Sequence, residues 1–515
     1  MASNRTVARA AARRPCSGRG QEVASTRVAP GVSAPDAPRA APRLHRVFLA
    51  FLALWVLASL PALRHPWWYL DDFCQDFSRE GVAHNLGLGR PGQFLMVASF
   101  ALEGRGGNPA ANILLRLVQG GLHALAAALL ARMLYERTRR PATLLAGLPF
   151  LLSPFAVEPT LWRSALPYPL AAVFSLAGLR LMAERRWLGS LLVVAAMLTQ
   201  PLGAFAAAGA WCLTASLSVL DHGRAAWRSL RAEATFLAIA YGAGAAAALA
   251  VAATQDAPWR SRLDLAADWG SRLHVLVTAN ATFFARSFLA QWRGIDELHA
   301  AFPALAVAVP LFALIRGRRT AARAVGGALA LLPALVVPYA PLLPVGESLL
   351  PDRLFYLAPL AHCGAWALAE HSWRDVRWLR GLAAGLLLAL SSAYALVTWT
   401  IAPVYREVYE ADLRLLRDLE VRARSTGAES LFVCAHGETT NVNPHGVDFR
   451  RGPARLSAFL TAWSAEGVLE WHSGVPVTRD HDLRGDCCVH CDWTRDGSFR
   501  VMRLEEGPVL CGCAP

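Results

Sequence analysis

The sequence predicts an all-α polytopic membrane protein, a helical bundle with about eleven spans that ends in a small C-terminal α+β domain. Two observations on composition support this fold class: 55% of the 515 residues are hydrophobic and only 17% are charged. A third observation is positional, since long apolar stretches recur along the chain and alternate loops between them carry clusters of arginine. A soluble protein of this length would carry more charge.

The first predicted element is a tail, residues 1–46, that is rich in Arg, Ala and Pro, has Glu22 and Asp36 as its only acids and shows no apolar period. We therefore predict that it is disordered and cytoplasmic. Its composition also resembles that of a transit peptide, and the apolar run 47–63 resembles the core of a signal peptide. The length of the tail and the apolar stretches that follow favour a signal anchor.

The transmembrane domain is predicted over residues 47–403. Two regions leave the number of spans open. The run 187–220 is either two short helices or one long tilted helix, and 273–292 is either an outer segment or a re-entrant or interfacial helix. The eleven predicted spans are 47–63, 112–134, 142–158, 167–183, 187–203, 204–220, 233–253, 301–315, 324–345, 354–370 and 381–403.

The distribution of arginine predicts the topology. The formal net charge is +13, and the sequence contains no lysine. Arginine clusters follow the second, fourth, sixth, eighth and tenth spans, which places these loops and the N-terminus in the cytoplasm and the chain in the cell (inner) membrane. The basic excess then needs no nucleic acid, and we expect membrane lipids as partners instead. The clusters are Arg137, Arg139 and Arg140; Arg185 and Arg186; Arg224, Arg228 and Arg231; Arg316, Arg318, Arg319 and Arg323; and Arg374, Arg377 and Arg380.

The first outer loop, residues 64–111, contains the adjacent acids Asp71 and Asp72 just after Trp67, Trp68 and Tyr69. The aromatic residues are of the kind found at the level of the lipid headgroups. Paired carboxylates there can act as a general base toward a hydroxyl, or can hold a divalent cation, the only cofactor that the sequence suggests. The alternative is a solvated acidic turn.

Two further charged residues are predicted at outer helix ends. Glu158 ends the third span, where a carboxylate is costly unless it is hydrated, paired or reaching to water. Arg353 precedes the tenth span, where a guanidinium can bind a phosphate or a carboxylate, or can simply contact Asp352 or a lipid headgroup.

The second span contains three polar residues of interest. His123 lies among small residues, which fits a hydrogen-bonded packing role as well as a catalytic one. Arg116 and Arg132, near the ends of that span, are interpreted as snorkelling to water.

Four short motifs follow one another along residues 47–403. They are Asp71-Asp72 with Arg90-Pro91 beyond; Gln119 and His123; Pro154, Glu158 and Trp162 at a spacing of four; and Asp352-Arg353 with Tyr356. In this order the chain resembles the GT-C membrane glycosyltransferases, in particular bacterial relatives of the O-antigen glucosyltransferases and the protein O-mannosyltransferases with tetratricopeptide repeats. It departs from them at Leu166, where many have Arg, and at Gly92, where they have Leu, which implies either a different substrate or a loss of activity.

The resemblance implies sugar transfer on the outer, periplasmic face from a polyprenyl-phosphate-linked donor to a glycan, lipid or protein acceptor. Asp71 or Asp72 would take the acceptor proton, Glu158 would position the acceptor or join a cation, and Arg353 would stabilise the phosphate. A transporter or flippase of lipid-linked sugars and an inactive scaffold are the alternatives. The other substrate-binding candidates are Arg90, His123 and Tyr356.

Residues 404–515 are predicted to form a Cys-rich extracytoplasmic domain. An amphipathic helix over 404–424 leads out of the membrane, and it is followed by a strand over 430–434, a helix over 453–466 and hairpin strands around Val501. Six cysteines fit either disulfides, which an oxidising compartment favours, or a zinc site; no pairing is predicted. They are Cys434, Cys487, Cys488, Cys491, Cys511 and Cys513.

Overall fold

A computed structural model describes most of the transmembrane domain and parts of the C-terminal region. The described residues are 42–64, 91–103, 109–254, 268–286, 291–292, 304, 307–308, 336–343, 352–372, 376–426, 430–434, 447–448, 500–504 and 507–513. They are predominantly helical, which agrees with the predicted class. The tail before residue 42 and residues 65–90 of the first outer loop, with Asp71, Asp72 and Arg90, lie outside this set.

Thirteen α-helices are formed by the described residues. Those before residue 200 are α1 Leu44–Leu63, α2 Phe94–Glu103, α3 Pro109–Thr138, α4 Leu148–Leu151, α5 Val157–Leu161, α6 Pro167–Met182 and α7 Arg186–Thr199. Those after it are α8 Pro201–Ala204, α9 Ala206–His222, α10 Trp227–Thr254, α11 Trp269–Arg286, α12 Leu360–Ser372 and α13 Arg377–Thr426.

Six helices of the described part are long and apolar enough to cross a membrane, and one bent helix pair makes a seventh candidate. Their segments coincide with the predicted first, second, fourth, sixth, seventh and eleventh spans, and the bent pair replaces the predicted third. The six are Leu44–Leu63, Pro109–Thr138, Arg163–Met182, Pro201–His222, Trp227–Val251 and Arg377–Thr400.

The described residues do not confirm eleven spans. The predicted fifth span is α7, of 14 residues, and the predicted tenth overlaps α12, of 13 residues, whereas a crossing takes about 20. The predicted spans 301–315 and 324–345 lie largely outside the described residues. The run 187–220 does form two helices, because Gln200 is extended and Pro201, which has no N–H, begins the next helix.

Contacts along the helices give their directions. In α3 and α6, which run parallel, Gln119 contacts the Trp162 carbonyl just before α6, and Glu136 contacts Arg180 near the end of α6. Helix α1 runs antiparallel to α3, since Trp55 packs on Gly120 while Pro42, before α1, contacts Arg132. Helices α9 and α12 are parallel, with Gly209 against Leu360 and Asp221 against His371. The bundle therefore has two distinct ends.

Charged side chains join the helices at one of these, which we call the Arg-rich end. Glu136 of α3 binds Arg132 at 2.7 Å and Arg180 of α6 at 3.1 Å. Glu370 of α12 binds Arg380 of α13 at 2.9 Å, and the Arg140 guanidinium donates to the Glu370 carbonyl at 2.7 Å. Arg140 and Arg380, which follow the second and tenth predicted spans, thus lie at the same end as Arg132 and Arg180, which belong to the second and fourth spans themselves. We call the opposite end, with Gln119, Glu158 and Arg353, the distal end.

The α8–α9 break is bridged by a tyrosine. The Tyr241 hydroxyl of α10 accepts from the Ala208 N–H at 3.1 Å and donates to the Ala204 carbonyl at 2.8 Å. These two groups would bond each other in an unbroken helix, so the hydroxyl is inserted into the hydrogen-bond ladder. Both backbone groups are satisfied without water, as a bilayer requires.

Helix α13 extends far beyond its membrane-length part. It runs without interruption through Pro403 to Thr426, and Arg406 pairs with Glu410 in its polar half. This confirms a helix over the predicted range 404–424.

Five short strands are described after α11. Strand β1 Gln291–Trp292 pairs antiparallel with β3 Val447–Asp448. In a second sheet β5 Gly507–Cys513 lies between β2 Ser430–Cys434, parallel to it, and β4 Arg500–Leu504, antiparallel to it. The predicted helix 453–466 and Cys487, Cys488 and Cys491 lie outside the described residues. The α+β domain and the choice between disulfides and zinc therefore stay predictions.

Candidate functional site

The predicted third span, 142–158, is not one continuous helix but is broken between Leu151 and Pro154. Segments Pro141–Leu151 and Pro154–Leu161 meet at an angle of 61°. Pro154 provides no N–H and disfavours a helical conformation at Ser153, whose ψ is 132°. The Ser153 hydroxyl accepts from the Phe155 N–H at 3.3 Å and so starts the second segment. The change of direction at the break brings Glu158 to the distal end.

Side chains from two other helices satisfy the carbonyl groups that the break leaves. The Leu151 carbonyl accepts from His123 Nε2 of α3 at 3.1 Å, and the Leu152 carbonyl accepts from the Thr398 hydroxyl of α13 at 3.5 Å. An unsatisfied carbonyl would cost several kcal/mol in a hydrocarbon environment. The break is therefore held by its surroundings and is a fixed feature of the bundle.

His123 and Tyr356 bind each other in the interior. A carbonyl can only accept, so Nε2 of His123 carries the proton and Nδ1 accepts from the Tyr356 hydroxyl at 2.9 Å. Both side chains are fully buried, and Phe150 packs against both rings. The structure brings these two predicted residues together, and their contacts favour the packing interpretation of His123.

Gln119 fixes the turn that carries the charged residues. Its Nε2 donates to the carbonyls of Pro159 and Trp162, each at 2.7 Å, and its Oε1 accepts from Arg163 at 3.2 Å. One carboxamide thus satisfies both carbonyls near the end of α5. Replacing Gln119 by an apolar residue would leave all three partners without this contact.

Two arginines are buried at the distal end, and sequence reasoning missed their role. Arg163 donates to the Ser99 hydroxyl at 2.6 Å, lies over the Phe100 ring and has no exposed surface. Arg116 is also 0% exposed, so the interpretation that it snorkels to water is wrong. A signal was present in the sequence, because Asn112, Arg116, Gln119 and His123 recur at helical spacing and form one buried polar stripe on α3.

Glu158, Trp162 and Arg353 form the charged part of the site, in which Arg353 is partly exposed while Glu158 and Trp162 are buried. The Arg353 guanidinium lies 4.0 Å from Glu158 Oε2 and 4.7 Å from the centroid of the Trp162 ring. The Arg353 side chain is 30% exposed and that of Glu158 is 10% exposed. Two predicted residues that are far apart in the sequence thus meet at the distal end, where part of the Arg353 side chain is exposed.

This arrangement has definite chemical capacities. A planar guanidinium held over an aromatic ring can bind phosphate through two parallel hydrogen bonds. A nearby carboxylate can orient a hydroxyl. Within the described residues no group of three or more His, Cys, Asp or Glu is placed to hold a metal ion, and the predicted divalent cation, which involves Asp71 and Asp72, stays a prediction.

Comparison with known proteins adds no relative to this picture. No family model, no curated protein and no solved structure matches the chain.

Proposed function

We propose that the chain is an integral membrane glycosyltransferase that moves a sugar from a polyprenyl-phosphate-linked donor to a glycan, lipid or protein acceptor. The observation that carries the proposal is the Glu158 and Arg353 pair beside Trp162, at the end of the bundle opposite the Arg-rich end. Charged residues in a membrane domain are costly and are generally kept for function. A lipid-linked donor keeps its chain in the bilayer and its phosphate at the interface, where Arg353 lies.

The arrangement of the ends supports the orientation. The Arg-rich end faces the cytoplasm by the positive-inside rule, so the distal end faces the periplasm. Gln119 and Glu136 are about 25 Å apart along α3 at about 1.5 Å per residue, close to the thickness of a hydrocarbon core. The charged groups of the two ends then lie at the two membrane surfaces.

In the proposed reaction an acceptor hydroxyl attacks the anomeric carbon of the donor sugar. The bond from that carbon to the phosphate oxygen breaks, a bond to the acceptor oxygen forms, and the hydroxyl proton passes to Asp71 or Asp72. Arg353 stabilises the charge on the departing polyprenyl phosphate. Glu158 orients the acceptor and holds the guanidinium, while Gln119 and Arg163 position the turn that carries Glu158.

An assay of purified protein with a polyprenyl-phosphate sugar tests the proposal. We expect Asp71→Asn with Asp72→Asn, and separately Arg353→Gln, to reduce transfer by about 100-fold. The matched control is Arg137→Gln. It removes the ion pair between Arg137 and Glu233 at the Arg-rich end, whose length of 3.9 Å is close to that of the Glu158 and Arg353 pair. Native rates in the Asp and Arg353 variants, or an equal loss in the control, would refute the assignment.

A second candidate is a transporter or flippase of lipid-linked sugars. The 61° break inside the bundle favours it, because discontinuous helices surround the substrate in many transporters. Proteoliposomes loaded with the lipid-linked sugar separate the two functions. Movement of the lipid across the bilayer without glycosidic bond formation identifies the transporter, and the absence of both activities identifies an inactive scaffold.

A further inference from the structure

A cleft of about 370 Å³ opens at the Arg-rich end, far from the candidate site. It lies between α12, α13 and the 3-10 helix Pro141–Gly147. The residues that matter for its chemistry are Leu145, Trp366, Glu370, Arg377, Arg380 and Gly381.

The cleft is charged near the start of α13, which we call its mouth, and apolar further along this helix, which we call its depth. Helix α13 contributes Arg377 and Arg380 from its first turn, then Gly381 and Ala384 on the same face. Leu145 and Trp366 form the opposite wall, and the Trp366 indole N–H is already donated to the Ala142 carbonyl at 3.0 Å. The depth therefore offers apolar surface, which suits an amphiphile and not a small soluble ion.

The charges at the mouth are partly fixed and partly available. The Glu370 carboxylate holds Arg380 through two contacts, Oε1 to NH2 at 2.9 Å and Oε2 to Nε at 3.2 Å. Arg377 is exposed and makes no ion pair with a described residue. Residues 373–375, which precede it, are not among the described residues. With Arg140 also beside Glu370, the described residues bring three guanidiniums and one carboxylate to the mouth, an excess of positive charge within that set.

Open space adjoins these charges. A Cβ atom built on Gly381 would meet no other atom within 4 Å. Since α13 begins its membrane-length segment at Arg377, this space lies where the headgroups of a bilayer give way to the hydrocarbon. A lipid chain beside Gly381 would therefore meet no side chain at that position.

We propose that this cleft binds one anionic phospholipid of the leaflet at the Arg-rich end, the cytoplasmic leaflet under the positive-inside rule. The phosphate lies on Arg377 and Arg380, and the upper part of one acyl chain passes over Gly381 toward Trp366. Positive pockets between membrane helices are suited to anionic headgroups on the cytoplasmic side. A free phosphate would use the mouth alone and leave the apolar depth uncovered.

Native mass spectrometry of the purified full-length protein tests this site. The protein is equilibrated with equal amounts of phosphatidylglycerol and phosphatidylcholine that have identical chains. We expect phosphatidylglycerol to be retained over phosphatidylcholine by about fivefold. This factor corresponds to the attraction of one arginine to an anionic surface. Arg377→Gln combined with Gly381→Leu should abolish the preference, because the first removes the available charge and the second fills the chain path.

The matched control is Arg185→Gln combined with Gly385→Leu. Arg185 is an exposed arginine at the same end, and Gly385 is equally open but lies one turn further along α13, outside the cleft. The control should keep the native preference. Equal retention of the two lipids by the native protein, an unchanged preference in the cleft variant, or an equal loss in the control would each overturn the proposal.

Two further arms keep the result decisive. If the double variant fails to fold, Arg377→Gln alone decides, since it changes only an exposed side chain, and an undiminished preference there overturns the proposal. Release of phosphatidylglycerol by inorganic phosphate alone would also overturn it, because the site would then recognise the anion and not the lipid.

Discussion

Tyr356 and Tyr339 are both buried tyrosines, but they differ in what their hydroxyl groups do. The Tyr356 hydroxyl donates to His123, which in turn satisfies the Leu151 carbonyl at the helix break. The Tyr339 hydroxyl has no hydrogen-bond partner among the described residues. Comparing Tyr356 with Tyr339 therefore separates the contribution of a hydrogen bond to stability from the contribution of ring burial.

We predict that Tyr356→Phe lowers the free energy of unfolding by about 1–3 kcal/mol, because it leaves the buried His123 Nδ1 without a donor. Tyr339→Phe should be neutral or slightly stabilising. Thermal unfolding of both variants in the same detergent measures the difference. Since the Tyr356 hydroxyl is bonded to His123 in the interior, its variant should lose less transfer activity than Arg353→Gln, and a larger loss would show that the hydroxyl contacts substrate, as its prediction as a substrate-binding residue implies.

The charged residues of the site were only partly predictable from the sequence. Glu158 and Arg353 were expected at outer helix ends from hydropathy and sidedness, and they lie 4.0 Å apart. Arg116 was misinterpreted because position in a span does not tell which face of the helix is covered, and α3 is covered by several neighbours. The partners of Gln119 and Arg163 come from separate segments, and no local pattern encodes such contacts.

At the scale of the element, breaks in the helices matter more than their lengths. Hydropathy predicted segment 142–158 as one span, although Ser153 and Pro154 in its sequence favour the break that the structure contains. For the run 187–220 the sequence left one long helix and two short ones as alternatives, and the structure has the break at Pro201. The apolar composition of a segment indicates whether it lies in the membrane. It does not show where the helix is broken, because a break depends on single residues.

The Tyr241 hydroxyl should be required for the stability of the α8–α9 break. Tyr241→Phe leaves the Ala208 N–H and the Ala204 carbonyl without their present partner, so we expect a loss of about 1–3 kcal/mol in the free energy of unfolding. The same unfolding measurement as for Tyr356 applies, again with Tyr339→Phe as control. An unchanged midpoint would mean that the two backbone groups re-form a helical bond.

Helix α11 begins with a capping aspartate. The Ser271 N–H donates to Asp268 Oδ1 at 2.7 Å, and this bond holds the pKa of the exposed Asp268 carboxyl below its ordinary value of 3.8. The pKa is lowered by folding, so the cap contributes fully above the ordinary value and is lost as the pH falls through the folded pKa.

Hydrogen exchange at the start of α11 checks the cap. In Asp268→Ala the Ser271 amide should exchange faster than in the native protein at pH 6, and the ratio of the two rates should fall in strong acid, where the protonated Asp268 carboxyl is a weaker acceptor. Asp268→Asn keeps an uncharged cap and should show no such pH dependence. A ratio that stays constant with pH for Asp268→Ala would rule out the titration of Asp268 as the cause.

At the scale of the whole molecule, the charge pattern predicted part of the arrangement. Arg140 and Arg380, which were assigned to the same side from loop composition, both contact Glu370 at one end of the bundle, where Arg132 and Arg180 bind Glu136. Which face of the membrane this end occupies stays a prediction. The number of spans was less predictable, because short apolar helices such as α7 and α12 have compositions similar to those of full crossings.

Reporter fusions test the orientation. Alkaline phosphatase fused after Thr426 should be active, because α13 begins at the Arg-rich end and leaves the bundle at the other. A green fluorescent protein fused after Arg185 should fluoresce, because this loop is assigned to the cytoplasm. The reverse pair of results would invert the membrane orientation and place Glu158 and Arg353 on the cytoplasmic surface.

The length of α13 sets the distance between the membrane-length segment and the residues that follow the helix. Its part beyond Thr400 is 26 residues of the 50-residue helix and measures about 39 Å at about 1.5 Å per residue. Pro403 has no N–H to donate, yet the helix continues through it. Residues that follow Thr426 therefore start up to about 39 Å from the end of the membrane-length segment.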